Sequence, residues 1–249
     1  MYARNLVASI ALVAGVGFAH AAPVTLINGA TQGYYNAGLG TVLDATSAAF
    51  PAANVSAGDP NLSFAVAPNL APAAGALGNW LTTPATPGGT WSGLQAIPSS
   101  WSVNTETAIV YSFDAGATGL NNFSASFGID NGIFVWLDGV FLGGEMRPGG
   151  ASLGEHVFNL ASVGAGVHHL QVLREDHGGG TGYAINVTAQ HNVPEPTTIA
   201  LLGLALLGVG AARRHVPGAG GGGRHPACLP QRRLHPPAAG LVPGLGGRP

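Results

Sequence analysis

Three oxygen-bearing side chains flank one apolar run of the chain. Asp130 and Asn131 precede residues 133–137, and Asp138 follows them. Carboxylate and amide oxygens at strand ends suit Ca²⁺, which takes about six to eight oxygen ligands. Asp and Asn also favour tight turns, because their side chains hydrogen-bond the neighbouring backbone. The pattern therefore allows two interpretations, a calcium site or plain turn residues, and the second is the more common.

Trp136 lies inside the same run, two residues after Phe134, so a strand places both rings on one face. An exposed Trp136 would stack on a sugar ring. This makes it a candidate ligand-binding residue together with Asp130, Asn131 and Asp138. Burial in the core is the more frequent fate of tryptophan on a central strand.

Histidines and acids cluster later in the chain: His156, His168, His169 and His177 lie near Glu155, Glu175 and Asp176. His168 and His169 are adjacent, so on a strand they point to opposite faces and cannot reach one ion without a bulge. No spacing matches a zinc site. We therefore favour no transition-metal site.

A polysaccharide hydrolase would need two carboxylates at a defined separation. The candidates are Glu145, Glu155, Glu175 and Asp176. No spacing in the sequence sets the distance between any two of them. We therefore predict a protein that is not an enzyme, with a secreted hydrolase as the alternative.

The composition excludes several classes of function. Only 8% of the 249 residues are charged, there is no lysine, and the single cysteine is Cys228. A lysine Schiff base, a phosphate-binding lysine and, in residues 22–192, a cysteine nucleophile are thus excluded. Ten acids against two arginines give residues 22–192 a net charge of −8, which disfavours nucleic acid as a partner.

Short alternating runs must position the candidate residues. A period of two residues predicts strands at 24–27, 108–113, 122–129, 133–137, 140–142, 156–160, 167–173 and 183–188. Asp138-Gly139 predicts a type I′ hairpin turn between two of them. Spacings near ten residues with Gly-rich joints predict an all-β fold for residues 22–192, an antiparallel β-sandwich of the jelly-roll kind.

The N-terminus has the pattern of a secretory signal peptide. Arg4 precedes the apolar run 6–18, and Ala19-His20-Ala21 places small residues where a signal peptidase cuts. We expect cleavage after Ala21, which makes residues 1–21 the signal peptide.

A second apolar segment follows the predicted domain. Pro194-Glu195-Pro196 precedes sixteen uncharged residues, 197–212, and then Arg213-Arg214. The segment predicts a single helix of about 24 Å, shorter than the roughly 30 Å hydrocarbon core of a membrane. Arginines at its end favour a cytoplasmic location for that end. A transient membrane anchor fits this length better than a permanent one.

The arrangement of residues 193–214 resembles the PEP-CTERM sorting signal of Gram-negative bacteria. The resemblance implies that an exosortase, a membrane-embedded transpeptidase-like enzyme, cuts at or near Pro194-Glu195-Pro196. It implies delivery of the upstream domain to the cell surface or extracellular matrix, and an association with exopolysaccharide and biofilm systems. An ordinary C-terminal membrane anchor is the alternative.

Residues 215–249 depart from that family, whose members usually stop soon after the arginines. The segment is rich in Gly, Pro and Arg and has neither strand nor helix periodicity. We predict a disordered tail. An out-of-frame or readthrough extension of the gene is one hypothesis for its origin.

Residues 128–142 resemble the core hairpin of galactose-binding-like and PA14-like jelly rolls, and residues 166–174 are similar to a later strand of those domains. The resemblance implies glycan binding in some relatives. We therefore expect an exported surface or matrix protein that binds glycan or matrix polymer.

Overall fold

A computed structural model describes residues 21–43, 61–192 and 203. The chain divides into two units, Met1–Pro196 and Thr197–Pro249, and every described strand belongs to the first. The processing residues Ala19, Pro194, Glu195, Pro196, Arg213 and Arg214 lie outside the described residues, as do nearly all of the predicted signal peptide, apolar helix and tail. No described helix combines the length and the apolarity needed to cross a membrane.

The described residues form eleven strands and little helix. The strands are β1 Pro23–Asn28, β2 Gln32–Gly40, β3 Leu62–Phe64, β4 Gln95–Ala96, β5 Glu106–Asp114, β6 Leu120–Ile129, β7 Gly132–Leu137, β8 Val140–Met146, β9 His156–Val163, β10 Val167–Glu175 and β11 Tyr183–His191. A 3₁₀ turn, Ala71–Ala73, leads into the short helix α1, Ala74–Leu77.

The strands pair antiparallel in two sheets. One sheet has four strands in the order β1-β11-β6-β9, and the other has seven in the order β3-β8-β7-β10-β5-β2-β4. The predicted antiparallel β-sandwich is confirmed, and each predicted strand lies within an observed one. Strand β2 was not predicted because Gly33, Gly38 and Gly40 interrupt its apolar pattern.

The main core lies between the sheets. Strand β6 contributes Phe123, Ala125, Phe127 and Ile129, each no more than 1% exposed. These four residues are two apart, so the pleat directs them all to the inner face. The face predicted from the alternation in the sequence is the buried one.

A second core covers the outer face of the seven-stranded sheet. Leu77 and Trp80 pack there against Phe134 and Trp136 of β7, and the Trp80 and Trp136 ring centroids are 5.3 Å apart. All six residues of β7 are buried as a result. Segment 70–92, which carries these covering side chains, therefore makes β7 an interior strand on both faces.

The β7–β8 hairpin closes with the predicted two-residue turn. Asp138 has φ +50° and Gly139 has φ +77°, as a type I′ turn requires. A Cβ added at Gly139 would lie 2.3 Å from the Leu81 carbonyl oxygen. The turn and the covering segment therefore touch through their backbones, and only glycine fits between them.

We predict that Gly139→Ala lowers the free energy of unfolding by about 2 to 3 kcal/mol, because it combines left-handed backbone with a steric clash. Urea denaturation of the purified chain measures the loss. Gly29→Ala is the matched control: it also lies in a turn, but without positive φ and with no atom within 4 Å of the added Cβ. Equal losses in the two variants would contradict the close approach.

A buried imidazole joins the two sheets. His156 of β9 is fully buried, and its Nδ1 lies 3.2 Å from Glu145 Oε2 of β8. Glu145 also pairs with Arg147 at 3.2 Å. Burial lowers the pKa of His156 below its ordinary 6.5, and the charge of Glu145 opposes that shift without overcoming it.

We predict that the stability of the protein falls as pH drops below about 6.5, because the unfolded chain then takes up a proton at His156 that the folded chain does not. The contribution of His156 to the free energy of unfolding is fully present above that pH. It is lost as the pH falls towards the lowered pKa of His156 in the folded state. Thermal melts between pH 7.5 and 5 measure the slope, which His156→Asn should flatten.

Glu145→Gln should change the pH dependence in the opposite direction to His156→Asn. Removing the carboxylate charge takes away the influence that raises the His156 pKa, so the destabilisation should extend to lower pH. A slope that neither substitution changes would show that His156 does not cause it.

Candidate functional site

Strand β7 carries the predicted ligand residues at its two ends. Asp130 and Asn131 precede the strand, and Asp138 follows it. Six intervening residues at about 3.3 Å each separate the two groups by roughly 20 Å. They cannot share one ion or one small ligand, so the predicted set divides into two separate places.

Hydrogen bonds hold Asn131 at the first of these places. Its backbone N–H donates to the Glu175 carbonyl at 2.9 Å, and its own carbonyl accepts from the Arg147 N–H at 3.1 Å. The side-chain oxygen accepts from the His177 N–H at 2.9 Å, and the side-chain amide donates to Asp130 at 2.7 Å. Asn131 is 2% exposed, and it anchors two loops to the start of β7.

The calcium assignment to Asp130, Asn131 and Asp138 stays a prediction. Among residues 21–43 and 61–192, no group of three His, Cys, Asp or Glu side chains is arranged to hold a metal ion. At the Asn131 end, the amide oxygen already accepts a backbone hydrogen bond. Asp130 would therefore supply the main oxygen ligands for any cation bound there.

The four carboxylates proposed for hydrolysis have different environments. Glu175 and Asp176 are each 1% exposed. Asp176 accepts hydrogen bonds from the backbone N–H groups of Asn104 at 2.7 Å and Gly178 at 2.9 Å, and Glu175 lies 2.8 Å from His177 Nε2. Two of the four are thus enclosed by protein.

The other two carboxylates are partly exposed. Glu145 contacts Arg147 and His156 as described above, and Glu155 lies in the loop before β9. A further buried acid was not predicted: Glu106 of β5 stands directly opposite Glu175 of β10 and is 1% exposed. Its position just before the apolar run 108–111 was the signal for it.

Trp136 lies in the outer core and not at a surface. It is 2% exposed and packs against Trp80 and Phe141, with each pair of ring centroids 5.3 Å apart. Trp136 is therefore a core residue, which was the alternative to its predicted role in ligand binding. Because segment 70–92 covers the ring, a sugar could not stack on it without displacing that segment.

Asp138 occupies the second place and reaches solvent, with its side chain 41% exposed. One carboxylate oxygen lies 2.6 Å from His168 Nδ1, and the other accepts from the His169 N–H at 2.8 Å. Burial lowers the pKa of His169, and the Asp138 charge opposes that shift. Asp138 is thus an accessible carboxylate with a defined orientation.

Arg174 is a buried cation that sequence reasoning missed. Its guanidinium carbon lies 4.0 Å from the Trp101 ring centroid and 4.3 Å from that of Tyr183, and its Nε donates to Thr107 Oγ1 at 2.9 Å. Burial lowers its pKa, and burial also raises the pKa of Tyr111 to about 12. An arginine directly after the predicted strand 167–173 was the signal, and its neighbours give it a packing role.

Solved structures with some similarity to this chain include two glycoside hydrolases and a PA14 domain. A GH2 β-galacturonidase from Eisenbergiella tayi is 13% identical, with 69% of this chain and 25% of that chain covered and a TM-score of 0.32. A GH31 α-xylosidase from Xanthomonas citri is 12% identical, with 40% and 12% covered and a TM-score of 0.24. The PA14 domain of an antifreeze protein is 15% identical, with 71% and 88% covered and a TM-score of 0.28.

These resemblances are weak, and this chain spans a quarter or less of the two hydrolases. No curated protein matches the chain. The C-terminal segment gives the specific result: residues 192–214 match the PEP-CTERM protein-sorting motif, which marks proteins that are exported and sorted to the cell surface or extracellular space.

Proposed function

We propose that this chain is a non-enzymatic matrix protein whose β-sandwich binds glycan or matrix polymer outside the cell. The observation that carries this proposal is the sorting motif at residues 192–214. It begins one residue after β11 ends at His191. Cleavage within the motif would therefore release a product that keeps all eleven described strands.

Exosortase is the processing partner that the motif implies. We propose an association with exopolysaccharide, because a domain delivered to the matrix meets that polymer at high concentration. Signal peptidase would act at Ala21, and the apolar segment 197–212 would hold the chain in the membrane only until exosortase cuts.

Binding without hydrolysis fits the carboxylates better than catalysis does. Retaining glycosidases place two accessible carboxylates about 5 Å apart, and inverting enzymes place them about 6.5 to 9.5 Å apart. Glu175 and Asp176 are buried, and Glu145 is engaged by Arg147 and His156. These contacts support a binding module, with a secreted polysaccharide hydrolase as the second candidate.

We predict that the purified protein is retarded in native gels that contain the exopolysaccharide of the producing organism, without releasing reducing ends. The same gel without polymer is the control. Sugar release that Glu155→Gln or Glu175→Gln abolishes would instead establish the hydrolase.

The same gels test calcium. Retardation that chelator removes, calcium restores and Asp130→Asn abolishes would support a calcium ion at Asp130 and Asn131. Retardation unaffected by chelator would exclude a role for calcium in the binding.

We predict that replacing Pro194, Glu195 and Pro196 by alanine blocks processing, so that uncut chain stays with the cell membranes. Intact mass measurement of the medium and membrane fractions detects both forms. Alanine substitution of Thr197 and Thr198 is the matched control, because it leaves the Pro-Glu-Pro sequence in place. Normal release of the triple variant would overturn the assignment of the cleavage region.

A further inference from the structure

A cleft lies between the β7–β8 turn and the segment that covers the sheet. Residues 81–86 form one wall, and Asp138 with His169 forms the other. We call it the Asp138 groove. Its volume is about 410 Å³, within the range of about 300 to 1,000 Å³ that small-molecule sites occupy.

A buried glutamine holds the two walls together from below. Gln171 of β10 is fully buried; its Nε2 donates to the Trp80 carbonyl at 3.2 Å, and its Oε1 accepts from the Gly139 N–H at 3.2 Å. Trp80 leads into one wall, and Gly139 belongs to the turn that carries the other. The Asp138 groove is therefore preformed, which lowers the entropic cost of binding a ligand.

The Asp138 carboxylate retains hydrogen-bonding capacity for a ligand. One oxygen meets His168 Nδ1, and the other accepts from the His169 N–H and lies 3.8 Å from His169 Nδ1. Each carboxylate oxygen can accept two hydrogen bonds, and the 3.8 Å contact is too long to be one. The side chain is 41% exposed. Two adjacent hydroxyl groups can therefore donate to the two oxygens at once.

The opposite wall supplies hydroxyl groups and apolar surface. Thr82, Thr83 and Thr86 are exposed there beside Leu81 and Pro84. The Thr82 and Thr83 hydroxyls each donate to the Asn79 carbonyl at 3.3 Å, so towards a ligand they act as acceptors. The Thr86 hydroxyl has no hydrogen-bond partner within residues 61–192, so it can donate to or accept from a ligand. Hydroxyls facing a carboxylate across a partly apolar cleft complement a sugar, which has polar edges and an apolar face.

The charge of the domain favours a neutral sugar. Residues 22–192 carry ten acids and two arginines, a net charge of −8, and no arginine lines the Asp138 groove. A uronic acid would be repelled both by Asp138 and by the field of the whole domain.

We propose that the Asp138 groove binds a neutral saccharide, with adjacent sugar hydroxyls donating to Asp138 and the chain of the sugar lying along residues 82–86. This proposal rests on the proposed function, since it assigns glycan binding to one place on the domain. Asp138 was a sequence-predicted ligand residue; the threonines and Gln171 were not.

Affinity electrophoresis of the full chain tests the proposal with four probes: dextran, galactomannan, mixed-linkage β-glucan and polygalacturonate. We expect retardation by at least one neutral polymer and none by polygalacturonate. Asp138→Asn should raise the Kd at least tenfold, the loss expected for hydrogen bonds to a charged group. Asparagine also tolerates the positive φ of the turn, so the fold should persist.

Two further variants make the result specific. Thr86→Val removes one hydroxyl of the groove at nearly constant shape, and we expect a severalfold rise in Kd. Asp114→Asn is the matched control: Asp114 is an exposed aspartate at the same end of the seven-stranded sheet that accepts the Gly116 N–H, and its replacement should leave binding unchanged.

Retardation by polygalacturonate as strong as that by the neutral polymers would overturn the proposal, as would unchanged binding by both Asp138→Asn and Thr86→Val. If the organism's exopolysaccharide retards the protein while all three neutral polymers fail, the neutral-sugar groove is wrong and the proposed function stands. If the exopolysaccharide fails as well, the proposed function itself falls.

Discussion

The burial of the centre of the seven-stranded sheet on both faces is the constraint on which the rest of this structure depends. One face packs on the four-stranded sheet, and the other lies under segment 70–92. All six residues of strand β7 are buried, because the side chains on both faces of the strand meet apolar partners. The positions of Asn131 and Asp138, which flank the strand, are therefore fixed, and loops are attached at both.

Buried polar side chains attach those loops to the sheet. Asn36 of β2, fully buried, donates to the Ala76 carbonyl at 2.9 Å and accepts from the Gly38 N–H at 2.9 Å. The side chain of Gln171 does the same for Trp80 and Gly139, and the side chain of Asn131 accepts from the His177 N–H. An unpaired buried polar group costs about 1 to 3 kcal/mol, so each of these residues specifies one position for the backbone that satisfies it.

The sorting signal and the β-sandwich occupy separate parts of this chain. The sorting motif begins directly after the last strand ends. The sandwich, with its acidic charge and its absence of cysteine within residues 22–192, relies on apolar burial rather than on disulfides. A domain of about 170 residues buries enough surface for that purpose.

The sequence alone determined the sandwich, the β7–β8 turn and the C-terminal motif, because each depends on local order: an alternation of two, an Asp-Gly pair, and a proline-acid-proline sequence before an apolar run. It did not reveal that segment 70–92 covers Trp136 or that residues 81–86 face Asp138. Segment 70–92 has no hydrophobic period from which the surface that it covers could be predicted. Only tertiary structure decided those relations, because contacts such as that of Gln171 with Trp80 join residues far apart in the chain, and hydrogen-bond geometry rather than residue type selects them.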